Sequence, residues 1–287
     1  MFPITQICQT STGEAIDLEI SLPEELATLA FAVNHGELSG RTDVTVRLTA
    51  DMDLTGFRWV PIGFGDSEFA GVFDGCGHTV RNMTIKKDYP GSYGLFGFCT
   101  GIIENLTVIG SITCVAGDAH SAVGGIAGLV DGGQINNCTA DISIDSQKRS
   151  LGMYAGGVVG QLREGAICDC RSSTRFENVL GNFIYLGGVV GAAENAKITH
   201  CVFDGSIQIL GDTGYYIDAG SIVGNVRGRI TVSDCLNRGA VDASDFDCGF
   251  LTLGDIVGRW EGEGAELQPG SRATLRRTAS SMAKEEL

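Results

Sequence analysis

A block of the form G-x-x-G, with one extra residue inside its fifth and sixth copies, returns six times along this chain, and its spacing constrains the fold more tightly than any other feature. The blocks are Gly94-Leu95-Phe96-Gly97, Gly125-Ile126-Ala127-Gly128, Gly157-Val158-Val159-Gly160 and Gly188-Val189-Val190-Gly191, then Gly220-Ser221-Ile222-Val223-Gly224 and Gly254-Asp255-Ile256-Val257-Gly258. Their closing glycines advance by 31, 32, 31, 33 and 34 residues. A second column, Leu106, Cys138, Cys170, Cys201 and Cys235, advances by 32, 32, 31 and 34. Two markers that drift together define a structural repeat, and a unit of this length buries its apolar face only by stacking on its neighbours.

Each unit holds an apolar run such as Gly156 to Val159 and a strand-like stretch such as Ile135 to Ile144. The stretches are short, β-branched and free of helical periodicity. A helical array is disfavoured, because a glycine inside a helix costs about 1 kcal/mol relative to alanine. Propeller blades are longer and carry other signatures. The expected architecture is therefore all-β, a right-handed parallel β-helix whose coils hold about three short strands. The Leu/Cys column becomes an interior ladder, and the block glycines supply tight corners or positive φ.

The ends depart from the repeat. Ser21-Leu22-Pro23-Glu24 reads as a capping box, and Leu26, Leu29, Ala30 and Val33 follow at helical spacing until Gly36. We assign residues 1–40 to an N-terminal segment with a capping helix, 41–260 to the solenoid and 261–287 to a polar, disordered tail.

Composition narrows the partners. Glycine is abundant at 42 residues and proline scarce at 5, which suits frequent turns and excludes collagen. A net charge of −15 argues against nucleic acid and against an anionic membrane surface. No apolar run is long enough for a transmembrane segment, and residues 1–20 show no signal-peptide pattern. The C-terminal Lys284-Glu285-Glu286-Leu287 only loosely matches a retention signal.

Gly94 to Gly97, followed by Ile103-Glu104-Asn105-Leu106-Thr107-Val108, resembles the GLUG-motif repeat of bacterial surface and secreted proteins. Leu48 to Leu54, Trp59-Val60-Pro61-Ile62-Gly63 and Phe69 to Val80 are similar to the β-helical segment found upstream of some IgA-cleaving metallopeptidase domains. The likeness runs over roughly residues 20–260. It implies a β-helix on an exported or surface-anchored protein, serving as spacer, adhesin or binding module. Cys76 stands where such sequences commonly carry a small polar residue, and ten cysteines are many for them.

Catalytic motifs are not found. The four histidines, His35, His78, His120 and His200, never form the metallopeptidase pair of histidines four apart. There is no nucleophile elbow or phosphate-binding loop. No residue is assigned to a metal: Cys168 and Cys170 offer two thiols on one strand face, whereas structural zinc takes four converging ligands, and His200 and Cys201 should point to opposite faces. The ladder cysteines read as buried free thiols, since in-register parallel strands give poor disulfide torsion. Asp242, Asp245 and Asp247 lack the spacing of a Ca²⁺ loop and read as a solvated loop.

The residue before each ladder position forms a polar column: Asn105, Asn137, Asp169, His200 and Asp234. It is a candidate ligand-facing strip for a glycan or for Ca²⁺, although nothing else supports Ca²⁺ and no cofactor is called for. The preferred alternative is an asparagine-type ladder, or side chains that cap turns by hydrogen-bonding local backbone. The expected function is a non-catalytic structural or adhesive module, extracellular or on the cell surface as the resemblance implies, with a glycan or protein partner. The competing expectation is a polysaccharide-degrading lyase or hydrolase, with Asp169 and Arg171, or Asp204 and Asp234, as its nominal pairs.

Overall fold

One repeat folds as one coil, and stacked coils share four parallel sheets. The computed structural model describes residues 15–87, 89–115, 120–148, 150–179, 181–209, 216–243, 249–261 and 266–267. In a representative coil His120–Gly124 lies in sheet D, Ala127–Asp131 in sheet C, Gln134–Asn136 in sheet A and Thr139–Lys148 in sheet B. Ser150–Gly156 then re-enters sheet D parallel to the first strand, with Val123 opposite Ala155 and Gly124 opposite Gly156. The result is an all-β parallel β-solenoid of about seven turns.

Four strands per coil replace the three expected from sequence. The apolar run Gly156 to Val159 is a corner: the chain leaves sheet D at Gly156, turns at Gly157 and Val158, and enters sheet C at Val159. The stretch from Ile135 to Ile144 is likewise bent, because Asn137 adopts φ 50° between the strands of sheets A and B. Both corners keep apolar residues facing inward, so the hydrophobic pattern runs through them unbroken.

Sheet A shows the packing rule plainly. Val46, Phe73, Ile103, Ile135, Ile167, Ile198 and Val232 lie in register on successive coils and are all fully buried. Burying one such side chain stabilises by about 1.5–3 kcal/mol. Leu106, Cys138, Cys170, Cys201 and Cys235 form a second interior ladder. Two strands of sheet A lie outside the 41–260 stretch: Ile16–Ile20, which pairs with Val44–Leu48, and Glu266–Leu267, which pairs with Thr231–Ser233.

Helix α1, Pro23–Asn34, buries Leu26, Leu29, Ala30, Ala32 and Val33 against the first coils. Its N-terminus differs from the expected box by one residue. Glu25 rather than Glu24 reaches back, accepting the Ser21 and Leu22 amides at 2.8 and 3.1 Å, because the helix begins at Pro23. Gly36 follows the helix at φ 86°. Among the described residues no helix is long and apolar enough to cross a membrane. The expected tail lies outside the described residues apart from Glu261 and Glu266–Leu267, as do Asp245 and Asp247.

Candidate functional site

Two outward places combine polar groups with a rigid frame: the corner between sheets A and B, and the groove where sheets C and D meet. The first holds the polar column. Asn105, Asn137, Asp169, His200 and Asp234 all occupy the left-handed region, at φ between 50° and 55°. Asn and Asp tolerate that region through local hydrogen bonding, and His is also enriched there. One such residue turns the chain in a single step and projects its side chain from the corner.

The column divides in two. Asn137 Nδ2 donates to Asn105 Oδ1 at 2.8 Å, and Asn105 Nδ2 donates to Asp74 Oδ1 at 3.0 Å. This asparagine ladder runs along the solenoid axis. Farther along, Cys168 Sγ donates to Asp169 Oδ2 at 3.0 Å, and His200 Nε2 lies 3.7 Å from Asp234 Oδ2. The donor atoms of Cys168, Asp169 and His200 fall within 4.8 Å of one another.

The bend also corrects the placement of the two thiols around Asp169. They do not share a face. The left-handed residue between them leaves Cys168 half-exposed and turns Cys170 into the core. Each ladder thiol then donates to the carbonyl two residues before it, across the corner: Cys138 to Asn136, Cys170 to Cys168, Cys201 to Thr199 and Cys235 to Ser233, at 3.2–3.3 Å. Cysteine here is a small apolar residue with one weak donor, and the corner uses both properties. Burial pushes the Cys170 thiol well above its ordinary value, and hydrogen bonding to the preceding ladder thiol, with burial, does the same for Cys201 and Cys235.

The groove between sheets C and D escaped the sequence reading. It is lined by Tyr154 and Tyr185 from sheet D, by Gln161, Ala192 and Asn225 from sheet C, and by Glu194 and Arg227 at the lip. Its open volume is about 340 Å³. The G-x-x-G glycines make it possible, though not through positive φ, which none of the block glycines adopts. They are needed for close approach. A Cβ at Gly160 would lie 2.4 Å from the Val123 amide nitrogen, and one at Gly128 equally near that of Tyr93. Sheet C thus rests against the backbone of sheet D, and larger side chains on flanking positions line the groove.

Within it, Tyr154 and Tyr185 stack at 5.3 Å between centroids and 11° between planes, and His120 stacks on Tyr154 at 5.7 Å. The rings therefore spend faces on one another. Burial, first among the causes, raises the Tyr185 phenol above its usual value, so it remains a neutral donor. At one end Asp218 is fully buried, bonded by Asn225 Nδ2 at 2.9 Å and by Arg259 Nε at 3.0 Å. Arg259 also covers the Tyr216 ring, 4.7 Å from its centroid. Arg227 pairs with Glu261 at 2.8 Å and Arg163 with Asp131 at 2.8 Å. Of the charged residues that line the groove, Arg227 is thus paired. A cue was legible in hindsight, since Tyr154 and Tyr185 stand two residues before successive glycine pairs, Gly156-Gly157 and Gly187-Gly188.

Of the nominal enzymatic groups, Asp204 is held by Arg171 at 2.8 Å on the outside of sheet B, whereas Asp169 and Asp234 belong to the corner column.

With this geometry described, the comparisons fall into place. Residues 119–145 and 184–208 match the model of the GLUG motif, each stretch covering one passage through sheets D, C and A into B. The chain thus carries two matches to the GLUG motif, as its sequence resemblance led one to expect. It is 30% identical over 152 residues to halomucin of Haloquadratum walsbyi, covering 48% of this chain and 2% of halomucin. It is 32% identical over 99 residues to a candidate Gly-rich membrane protein of Evansella cellulosilytica, covering 34% of this chain and 11% of that protein. The chain thus spans a small fraction of these relatives' length. A crystal structure of a candidate immunoglobulin A1 protease from Bacteroides ovatus superposes with TM-score 0.55 at 19% identity, over 89% of this chain and 78% of that one. That likeness concerns the fold.

Proposed function

We propose that this chain is a non-catalytic β-solenoid module of a surface or secreted protein, and that it binds a glycan along the groove between sheets C and D. The observation that carries the reading is the groove lining: tyrosine edges and hydroxyls, the Gln161 amide, the Asn225 amide oxygen, and Arg227 already paired with Glu261. Neutral hydroxyl and amide groups on rigid strands match the hydroxyls of a neutral sugar chain, and convergent polar groups in a concave site fix orientation. The groove crosses successive coils, so an extended polymer lying along the axis would meet the same kind of contact at each level. A surface location agrees with the names of the relatives, halomucin and a Gly-rich membrane protein. In the corner column, away from this groove, Asn105 and Asn137 bond one another, while Asp169, His200 and Asp234 stand outside that ladder.

The test is a broad glycan array, with and without Ca²⁺, on the wild-type chain and on Tyr185→Ala and Gln161→Ala. Binding to one glycan class that falls about tenfold or more in either variant, with unchanged thermal melting, supports the groove; a blank array on folded protein defeats the glycan reading, and binding untouched by both variants removes it from the groove.

A further inference from the structure

We propose that Cys168, Asp169 and His200 form a divalent transition-metal site of the zinc type on the corner between sheets A and B. The argument begins with the solenoid. Cys168 is in register with Thr199 of the next coil, which places His200 beside Asp169. The αL backbone at 169 and 200 fixes both side chains outward at neighbouring levels. Three donors of different kinds, a thiol, a carboxylate and an imidazole, converge to within 4.8 Å.

Zinc bonds of about 2.0–2.3 Å set tetrahedral ligands roughly 3.5 Å apart. Small side-chain rotations at an exposed corner close that difference, while the backbone stays in the sheet ladder. The mixed sulfur, nitrogen and oxygen set suits zinc and its neighbours and suits Ca²⁺ or Mg²⁺ poorly, since those ions take oxygen. Asp234, 3.7 Å from His200 Nε2, supplies a further carboxylate from the next coil, able to orient the imidazole or to complete the shell.

The same geometry argues against a purely structural cluster. At the equivalent corners Asn105 and Asn137 bond one another, a ladder the fold makes without charge or sulfur. Around Asp169 the ladder gives way to ligating residue types on two adjoining coils. Cys168 Sγ donates its proton to Asp169 Oδ2 at 3.0 Å, so the thiol already faces a prospective co-ligand. On metal binding the sulfur coordinates as thiolate, and that one proton passes to solvent. No electron is transferred.

The column also provides variants that should preserve the fold. Asn stands at the equivalent position in two coils, so Asp169→Asn and His200→Asn keep a residue that tolerates positive φ. Reduced full-length chain would be titrated with Co²⁺ and with Zn²⁺ against a competing chelator, following the sulfur-to-cobalt charge-transfer band and proton release. Expected are one metal per chain, a sulfur band, and about one proton released. The band should vanish in Cys168→Ser. Affinity should fall about tenfold or more in Asp169→Asn and His200→Asn, with thermal melting of the metal-free variants unchanged. Cys76→Ser, at another exposed thiol, should bind as wild type. No uptake at micromolar free metal, or a sulfur band that survives Cys168→Ser, would overturn the site.

Discussion

The two corners that bracket sheets C and A of every coil solve the same problem by opposite means. At the A–B corner the backbone itself is unusual: a non-glycine residue at φ near 50°, its carbonyl neighbour satisfied by a buried thiol two residues on. At the D–C corner the block glycines keep ordinary φ, and the neighbourhood is crowded instead. The first corner chooses its residue by conformation and leaves the side chain free to vary in chemistry. The second chooses by volume: its closing glycine recurs in all six blocks, while the position of Gly188 passes to Ser221 and Asp255 in the last two coils. Variation useful for binding therefore collects at the A–B corner and on the groove walls, not on the closing glycines.

Alkali should separate the corners most strongly. The Cys170, Cys201 and Cys235 thiols are raised in the folded chain, and burial raises Cys99 and Cys114 to about 12. A thiol with a raised folded pKa contributes its full stabilisation below the unfolded value of about 8.5, and that contribution is lost as pH rises toward the folded value. Each such thiol should cost about 1.4 kcal/mol per pH unit above 8.5. Urea melts of reduced protein from pH 7 to 10 should show midpoints falling steeply, and Cys201→Ala should flatten the slope. A midpoint independent of pH would mean that the ladder is not buried as thiols.

Next in size is Gly160→Ala. Its Cβ would meet the Val123 nitrogen at 2.4 Å and the Gly128 oxygen at 2.7 Å, both backbone atoms of the sheets. Neither sheet can yield without breaking register, so a loss of about 3 kcal/mol is expected. The contrast is Gly77→Ala on the A–B side, where φ is 81° and nothing lies within 4 Å. Only the left-handed penalty applies there, about 1–2 kcal/mol. Equal losses at the two positions would erase the distinction drawn here.

The conformational corner is tested by Asn137. Substitution by Ala removes the bond to Asn105 and places a Cβ residue without local compensation at φ 50°, for a loss of about 1–2 kcal/mol. Asn137→Gly should restore most of it, since glycine adopts this region freely and loses only the ladder bond. Chemical denaturation of the pair separates the backbone share from the side-chain share. A glycine variant no better than the alanine one would place the whole effect in the ladder.

How legible all this was follows from the same comparison. The repeat, the parallel β architecture and the inward ladder were visible because translational stacking prints itself as recurrence: Leu106, Cys138, Cys170, Cys201 and Cys235 are buried together. The corners were not visible as corners. Gly156 to Val159 read as an apolar run and Ile135 to Ile144 as one strand-like stretch, since turns of one or two residues leave the apolar pattern intact. The glycines suggested tight corners or positive φ: they take crowded corners between sheets, while positive φ falls to Asn105, Asn137, Asp169, His200 and Asp234. The groove was hidden for the same reason, because Tyr185 and Asn225 meet through a contact between sheets one coil apart.

The smallest expected effect marks the boundary of the crowded corner. Arg163 ends the sheet C strand that leaves this corner, in register with Glu194 at the groove lip, and pairs with Asp131 at 2.8 Å, with both side chains more than a third exposed. An ion pair so accessible stabilises by about 0.2–1 kcal/mol and is screened by salt. Arg163→Ala should therefore shift the midpoint slightly at low ionic strength and indistinguishably from wild type at about 1 M salt, where screening acts within roughly 3 Å. A larger, salt-insensitive loss would mean that the arginine stem is packed into the corner. The exclusion of side chains would then extend beyond the glycines to the groove lip. A small, screened loss confines it to the glycine backbone and leaves the lip free to change its charge.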